Sequence, residues 1–414
     1  MIRPASEQVR PSTSSAPYTR TILASALVAR LLATALLFRR YPIDQLIHTP
    51  SEIYAIAISL ATHQGFSSPF FTPSGPTAFL APGYPLLVAA AFALFGVHSS
   101  SVLVVIAIQI SLSLVTVWLV MRLALRQFGV TAANIAGCIC ALSAPSVVAP
   151  FQLWETSLSA LLLIAFLAVA PHLRAPKQWA AAGAGTAAAA LVNPALLPTL
   201  FAVAICQAWR RRSVLWIASL AFLLVYAPWP LRNAVRMHAF IPLRSNFGYE
   251  LWMGNHAGGD GDFDQHLDPE DNLAARAQFV SMGELPYMRM KSHLAVAWIR
   301  THQGDFLRLT LIRIARFWTA ATQGMIVAGA LFCLAALAGL AVLWRNRPDL
   351  RFYAIPLVLY PLPYYITHPD GRFRTVIDPL LAILAAYAMS ALLARLRTRQ
   401  QADPVIQSAQ THAT

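Results

Sequence analysis

Apolar stretches close to the length needed to cross a bilayer recur along almost the whole of this 414-residue chain. No other feature constrains the fold as strongly. At 1.5 Å of rise per residue, about 20 helical residues span the ~30 Å of hydrocarbon. Stretches of this kind lie at about 21–38, 101–124, 131–150, 156–171, 178–192, 195–209, 214–230, 323–344, 352–367 and 375–394. In lipid the backbone polar groups must be satisfied within the segment, which favours helices. The expected fold class is an all-α polytopic membrane protein, a transmembrane bundle of about ten spans. Pro194 leaves open whether the segments on either side of it are two helices or one broken hairpin. Hydrophobic residues make up 57% of the chain and charged residues 12%, against about 25% charged in ordinary soluble domains. A soluble, disordered, collagen-like or disulfide-built chain is excluded on that balance. The four cysteines, Cys138, Cys140, Cys206 and Cys333, fall inside apolar segments and read as small buried hydrophobes.

The net charge is +14, from 31 basic and 17 acidic residues. In a membrane protein such an excess sets topology and is no nucleic-acid footprint, so no nucleic-acid partner is expected. Residues 1–20, rich in Ser, Pro and Arg, read as a disordered cytoplasmic tail, followed by a retained first span that contains Arg30. With that tail inside, the clusters Arg122/Arg126, Arg174/Lys177, Arg210–Arg212, Arg345–Arg351 and Arg395–Arg399 all become cytoplasmic. The long polar segments 39–100 and 231–322 are then external. The expected organisation is a membrane region over 21–230 that includes the loop 39–100, an external cap over 231–322, a second membrane region over 323–394, and a cytoplasmic tail over 395–414. A multi-pass plasma (inner) membrane location with both termini inside follows. No repeat of 20–50 residues and no inverted pair of halves is visible, which argues against a transporter or flippase.

In the first external loop, Thr49 reads as a helix N-cap, Pro50 suits the first helical position, and Glu52 falls at the capping-box position. The helix is expected to run about fifteen residues, to a stop near Gly65, and to lie along the membrane. Glu52 reads either as the carboxylate that closes the box or as an ionised base at the membrane surface; a capped carboxylate keeps a free lone pair, so both can hold. Glu155, opening a span, is expected to pair with an arginine.

The runs Gly65-Phe66-Ser67-Ser68-Pro69, Gly75-Pro76-Thr77-Ala78 and Pro82-Gly83-Tyr84-Pro85-Leu86-Leu87 follow that helix. Later come Trp154-Glu155-Thr156-Ser157, Asn193-Pro194, Pro228-Trp229-Pro230-Leu231-Arg232-Asn233, Arg244-Ser245-Asn246-Phe247-Gly248 and Leu251-Trp252-Met253-Gly254-Asn255. His368-Pro369-Asp370-Gly371-Arg372-Phe373-Arg374 precedes the last span. In this order the motifs resemble those of the GT-C membrane glycosyltransferases, above all the family 39-like group of protein O-mannosyltransferases and lipid A aminoarabinose transferases. The resemblance runs from about residue 25 to 395.

It implies transfer of a sugar from a polyprenyl-phosphate donor to a lipid, glycan or protein acceptor at the outer face of the bilayer. Glu52 takes the place of the base or orienting carboxylate. Many relatives carry an acidic pair there, whereas this chain has Ser51-Glu52, so Asp44 is a second candidate. Arg372 and Arg374 are the favoured contacts of the donor phosphate, whose departure needs forked cationic donors; Arg232 is the next. Their alternative is interfacial snorkelling. His48, Tyr54, Tyr84, Asn255 and His368 are the further residues expected to flank the site. The resemblance implies no cofactor, and no sequence motif supports a divalent metal.

Residues 231–308 hold eight basic and nine acidic residues. Asp260, Asp262, Asp264, Asp268 and Asp271 occupy positions 1, 3, 5, 9 and 12 of a calcium-loop pattern, but Gln265 stands where the turn needs Gly, and a solvated acidic loop is the expectation. From Glu284 to Phe306 the pattern is that of an amphipathic helix with Ala295, Trp298 and Ile299 packing inward. An O-antigen ligase or polymerase is the runner-up among enzymes, although such proteins carry their key charges in a late loop.

Overall fold

The computed structural model describes residues 17–42, 51–209, 211–319 and 326–402. Twenty α-helices follow one another among these: α1 (Thr19–Arg40), α2 (Glu52–Ala61), α3 (Gly83–Phe95), α4 (Ser99–Phe128), α5 (Val130–Leu142), α6 (Ala144–Val148), α7 (Thr156–Val169), α8 (Pro176–Val192), α9 (Leu196–Ala208) and α10 (Ser213–Tyr226). Then come α11 (Pro228–Met237), α12 (Phe247–Gly254), α13 (Leu273–Met282), α14 (Glu284–Thr301), α15 (Gln303–Thr319), α16 (Ile326–Asn346), α17 (Ala354–Leu359), α18 (Leu362–Ile366), α19 (Gly371–Thr375) and α20 (Asp378–Ala402). Among the described residues there is no strand, only one bridge between Ser67 and Pro76. The chain is an all-α, multi-pass membrane protein.

Each of the ten apolar segments folds as one or more helices, but they differ in reach. Five described helices are long and apolar enough to cross a bilayer: Thr19–Arg40, Ser99–Phe128, Ser213–Met237, Ile326–Asn346 and Asp378–Thr398. The pair Val130–Leu142 and Ala144–Phe151, bent by 57° at Ser143, has the same apolar length when its two helices are taken together, as a broken span or a re-entrant loop. The segment around 352–367 is broken into short pieces, α17 and α18, where Pro356, Pro361 and Pro363 remove backbone donors. Asn193 and Pro194 separate α8 and α9 as two helices, and α10 continues through α11 to Met237, past the expected edge at 230.

The bend between α5 and α6 explains why Arg30 can sit fully buried in a spanning helix. A break frees carbonyls that lipid cannot satisfy. The Arg30 guanidinium donates to the carbonyls of Ala141, Cys140 and Ser146 at that bend, to Ala26 in its own helix, and to Ser113 Oγ at 2.7 and 3.0 Å. The charge thus joins α1, α4 and the bend. Elsewhere, close packing depends on missing side chains. A Cβ on Gly183 would stand 2.0 Å from the Ala218 carbonyl oxygen of α10, and one on Gly339 1.9 Å from the Leu384 oxygen of α20. Such small-residue contacts let backbones approach where no hydrophobic force drives association.

Two hydrophobic clusters result. One fills the bundle with residues of α1, α4, α5, α7, α9, α16 and α20. The other joins the first loop to the cap: Ile53 and Tyr54 of α2, Phe70 and Phe79 of the connection, Tyr84 of α3, and Tyr249, Phe279 and Tyr287. Phe70 meets Phe79 and Phe279 edge-on, with centroids 5.1 and 5.0 Å apart, a geometry that favours aromatic pairs. Buried Arg313 of α15 donates to the carbonyls of Gly261, Gly254, Tyr365 and Ile366 and to Asn255 Oδ1, which ties the cap to the chain preceding the last span. The amphipathic segment is α14, with Ala295 fully buried.

Candidate active site

Glu52 is the first residue of α2, not its third. Ser51, extended, is the N-cap and makes no side-chain bond to the helix; Thr49 and Pro50 lie outside the described residues. The helix ends at Ala61 rather than near Gly65, where His63 takes a left-handed conformation with φ 64°. The expected capping box is therefore not what holds this carboxylate. Glu52 is 8% exposed and its Oε2 is buried with no hydrogen-bond partner. α2 is packed against α3 and the cap on nearly every side, so the carboxylate is carried into the protein rather than laid on the membrane.

Two further acids meet it there. One carboxylate oxygen each from Glu52, Asp268 and Glu270 lies within 4.8 Å of the other two. Asp268 is 4% exposed, and its Oδ1 accepts the Glu270 N–H at 2.9 Å, so the turn Asp268-Pro269-Glu270 sets the spacing of the pair. Glu270 Oε1 is also buried without a partner. Burial, with Glu270 and Asp268 adding repulsion, holds the Glu52 carboxyl well above its usual range, against the opposing pull of Arg372. Burial pushes Asp268 up to about 6 and Glu270 up to about 7. Like charges this close cannot all ionise unless a cation joins them.

Cationic and hydrogen-bonding groups surround the trio. The Arg372 guanidinium lies 3.7 Å from the centre of the Trp154 ring, its Nε 3.2 Å from Asp370, and its charge acts on Glu52, Glu250 and Glu270. Asp370 also caps α19 through the Arg372 N–H, which fixes the backbone from which Arg372 projects. Half-buried Arg244 donates to the Phe79 carbonyl at 3.3 Å and forms no ion pair among the described residues. His368 Nε2 stands 2.8 Å from Glu250 Oε2, and Asn246 donates to the other Glu250 oxygen at 2.7 Å. Burial raises the Glu250 carboxyl, but the His368 bond and charge, together with the charges of Arg244 and Arg372, outweigh it, and the net shift is downward.

The other expected site residues divide. Arg374 is buried and forks onto Asp378 at 3.0 and 3.4 Å while donating to the Trp318 carbonyl, so its charge is balanced within the protein. It nevertheless walls an apolar cavity of about 470 Å³ between α5 and α16, with Phe332 and Leu142. Arg232 ties the first loop down: it donates to the carbonyls of Thr77 and Phe66 and lies against the rings of Phe66 and Trp229. Tyr84 accepts a bond from Gln109, which also donates to the Trp154 carbonyl. Tyr54 is buried with its ring against Phe92. Asn255 donates to the carbonyls of Leu251 and Ile366 and serves the Arg313 anchor. Asp44 and His48 lie outside the described residues. Glu155 forms no ion pair with an arginine among the described residues; it is the N-cap residue of α7.

The acidic loop is less solvated than expected. Asp260 and Asp262 pair with Arg316, Asp264 faces His256, and Asp268 turns inward to the trio. Four of the five calcium-loop positions are thus scattered over three partners, and Asp271 is exposed. Asp268, expected in a solvated acidic loop, and Glu270, to which the sequence assigned no role, are instead brought beside Glu52. Phe263 and Leu267 in the same stretch pack against the cap cluster and carry the acids inward.

The trio suits a cation on its own chemistry. It offers three carboxylates with two buried, unpartnered oxygens. An all-oxygen donor set favours a hard ion such as Mg²⁺, Mn²⁺ or Ca²⁺.

The sequence matches no protein-family model and no curated protein. Solved structures do resemble the fold. An oligosaccharyltransferase from Archaeoglobus fulgidus, in complex with zinc and sulfate, superposes with a TM-score of 0.53 at 15% identity, covering 95% of this chain and 51% of that one. The chain thus spans about half the length of that enzyme. ArnT from Cupriavidus metallidurans, bound to undecaprenyl phosphate, gives 0.42 at 16% identity over 90% of this chain and 78% of that one; its apo form gives 0.41 over 90% and 77%. The fold expected from the motif resemblance, that of the GT-C membrane glycosyltransferases, is the fold observed.

Proposed function

We propose that this protein is a glycosyltransferase that moves a sugar from a polyprenyl-phosphate-linked donor to an acceptor at the external face of the membrane. The observation that carries the proposal is the buried Glu52 carboxylate, which has an unpartnered oxygen and stands in the field of Arg372. The fold likeness and the ordered motifs support the same reaction class. Glu52 orients the attacking hydroxyl or amine and takes its proton. The new glycosidic bond forms at the anomeric carbon as the bond from that carbon to the phosphate oxygen breaks. The electron pair leaves with the polyprenyl phosphate, whose charge Arg372 stabilises, with Arg244 as the second candidate. The burial that holds the Glu52 proton makes the carboxylate a stronger base once it is ionised.

Glu52, Asp268 and Glu270 would hold a divalent cation, which would neutralise phosphate charge when bound. The apolar cavity beside Arg374, two residues from Arg372, is the place we assign to the first part of the polyprenyl chain. The arginine bound to Asp378 keeps that wall in position. Both long loops lie on the external side in this reading, and a reporter fused at residue 265 should report outside.

Mass spectrometry of surface glycolipids and glycoproteins from a deletion strain tests the reaction class. One glycan should lose a sugar while a polyprenyl-phosphate sugar accumulates. An unchanged surface profile with no such accumulation would refute transfer from that donor.

A further inference from the structure

At the end of α4 remote from the carboxylate trio, a second cavity of about 660 Å³ opens between α4, α7, α8 and α9. Gln109, near the candidate site, and Arg122 and Arg126 lie on the same helix. Thirteen and seventeen residues of separation correspond to about 20 and 25 Å along the axis, close to the ~30 Å hydrocarbon thickness. The cavity therefore faces the leaflet opposite the candidate site. Its walls are apolar, among them Phe166 and Leu200, and small residues of α7 and α8 make the room. A Cβ on Gly185 would meet nothing within 4 Å.

Arg122, Arg126 and His172 stand among the lining residues. Both arginines are exposed and neither forms an ion pair among the described residues. The Arg122 guanidinium lies over the Trp118 ring at 4.8 Å, an aromatic–cation pair suited to headgroup depth. Two cations without acidic partners, above an apolar cavity at a bilayer surface, match one chemistry: a phosphate on two hydrocarbon chains.

We propose that this cavity binds an anionic phospholipid of the opposite leaflet, with Arg122 and Arg126 on its phosphate and an acyl chain along α8 past Gly185. The site is separate from the proposed reaction and does not depend on it. Phosphatidylglycerol and phosphatidylcholine, offered together to the purified full chain, are the probes, with retained lipid counted by native mass spectrometry.

The wild type should prefer phosphatidylglycerol. At about fivefold per basic residue, R122Q/R126Q should lower the preference about 25-fold. Gly185→Phe, which fills the cavity without touching either charge, should reduce retention of both lipids. Unchanged melting temperatures establish that the variants fold. Equal retention of the two lipids by the wild type, a preserved preference in R122Q/R126Q, full retention by Gly185→Phe, or displacement by inorganic phosphate would each overturn the proposal.

Discussion

Glu52 and Glu284 each begin a helix, each is buried, and each is held above the usual carboxylate range by that burial. Their surroundings are opposite. Glu284 receives bonds from the Thr77 hydroxyl, the Ala78 N–H at 2.9 Å and the Ser245 hydroxyl at 2.7 Å, which fasten the Thr77-Ala78 stretch of the first loop to the cap. Glu52 keeps a buried oxygen with no partner and faces two more acids. A carboxylate whose oxygens are all used builds structure. One that burial and like charges destabilise, with an oxygen left free, is suited to bind or to react. A related contrast separates two neighbours before the last span: Arg374 is forked onto buried Asp378, while Arg372, beside the half-exposed Asp370 at 3.2 Å, also acts on the acidic trio.

The largest effect should come from Glu52→Gln. Loss of a general base lowers transfer by about 10²- to 10⁴-fold. The variant should melt no lower than wild type, because a repelled carboxylate has been removed. A stable variant with unchanged turnover would erase the contrast with Glu284. The arginines come next and should part company. Arg374→Gln leaves Asp378 buried without its partner, at about 3–5 kcal/mol, and should show as loss of folded protein. Arg372→Gln should keep its melting temperature and raise the apparent KM for donor, by about tenfold or more if one charge-assisted contact of about 1.5–3 kcal/mol is lost. Equal effects of the two substitutions on stability would contradict the assignment. Glu284→Gln should cost about 2 kcal/mol through its bonded oxygens, read as a lower melting temperature with turnover of the folded fraction kept.

The smallest effect is on pH dependence. Asp268 and Glu270 keep protons up to about 6 and about 7 in the fold, against ordinary values of about 4. The folded state therefore binds more protons across that window. Cation-free protein should gain stability as pH falls from 8 to 5 and lose it as pH rises through 7. Added Mg²⁺ should stabilise more at pH 8 than at pH 5.5, because protons compete for the same oxygens. A melting temperature that falls on acidification over this range would mean that the trio is not desolvated.

The fold class was legible because a bilayer leaves few solutions: apolar length alone specifies helices. The number of full crossings was not, since Ser143 and the prolines at 356, 361 and 363 break segments whose composition looks continuous. At the candidate site, Glu52 was marked by its motif and Arg372 by the motif before the last span. Asp268 and Glu270 could not. Their stretch reads as polar and solvated, and only the tertiary packing of Phe263 and Leu267 shows which acids turn inward. Arg232 shows the reverse case, a charged motif residue that the fold uses to hold the first loop.

The most direct test of the central claim uses the donor that a deletion strain accumulates. Membranes from that strain, given purified wild type, Glu52→Gln or Glu284→Gln at matched folded concentration, can be followed by mass spectrometry for loss of the polyprenyl-phosphate sugar. Wild type and Glu284→Gln should consume the pool and release polyprenyl phosphate, while Glu52→Gln leaves it intact. Consumption by Glu52→Gln at the wild-type rate would contradict the account.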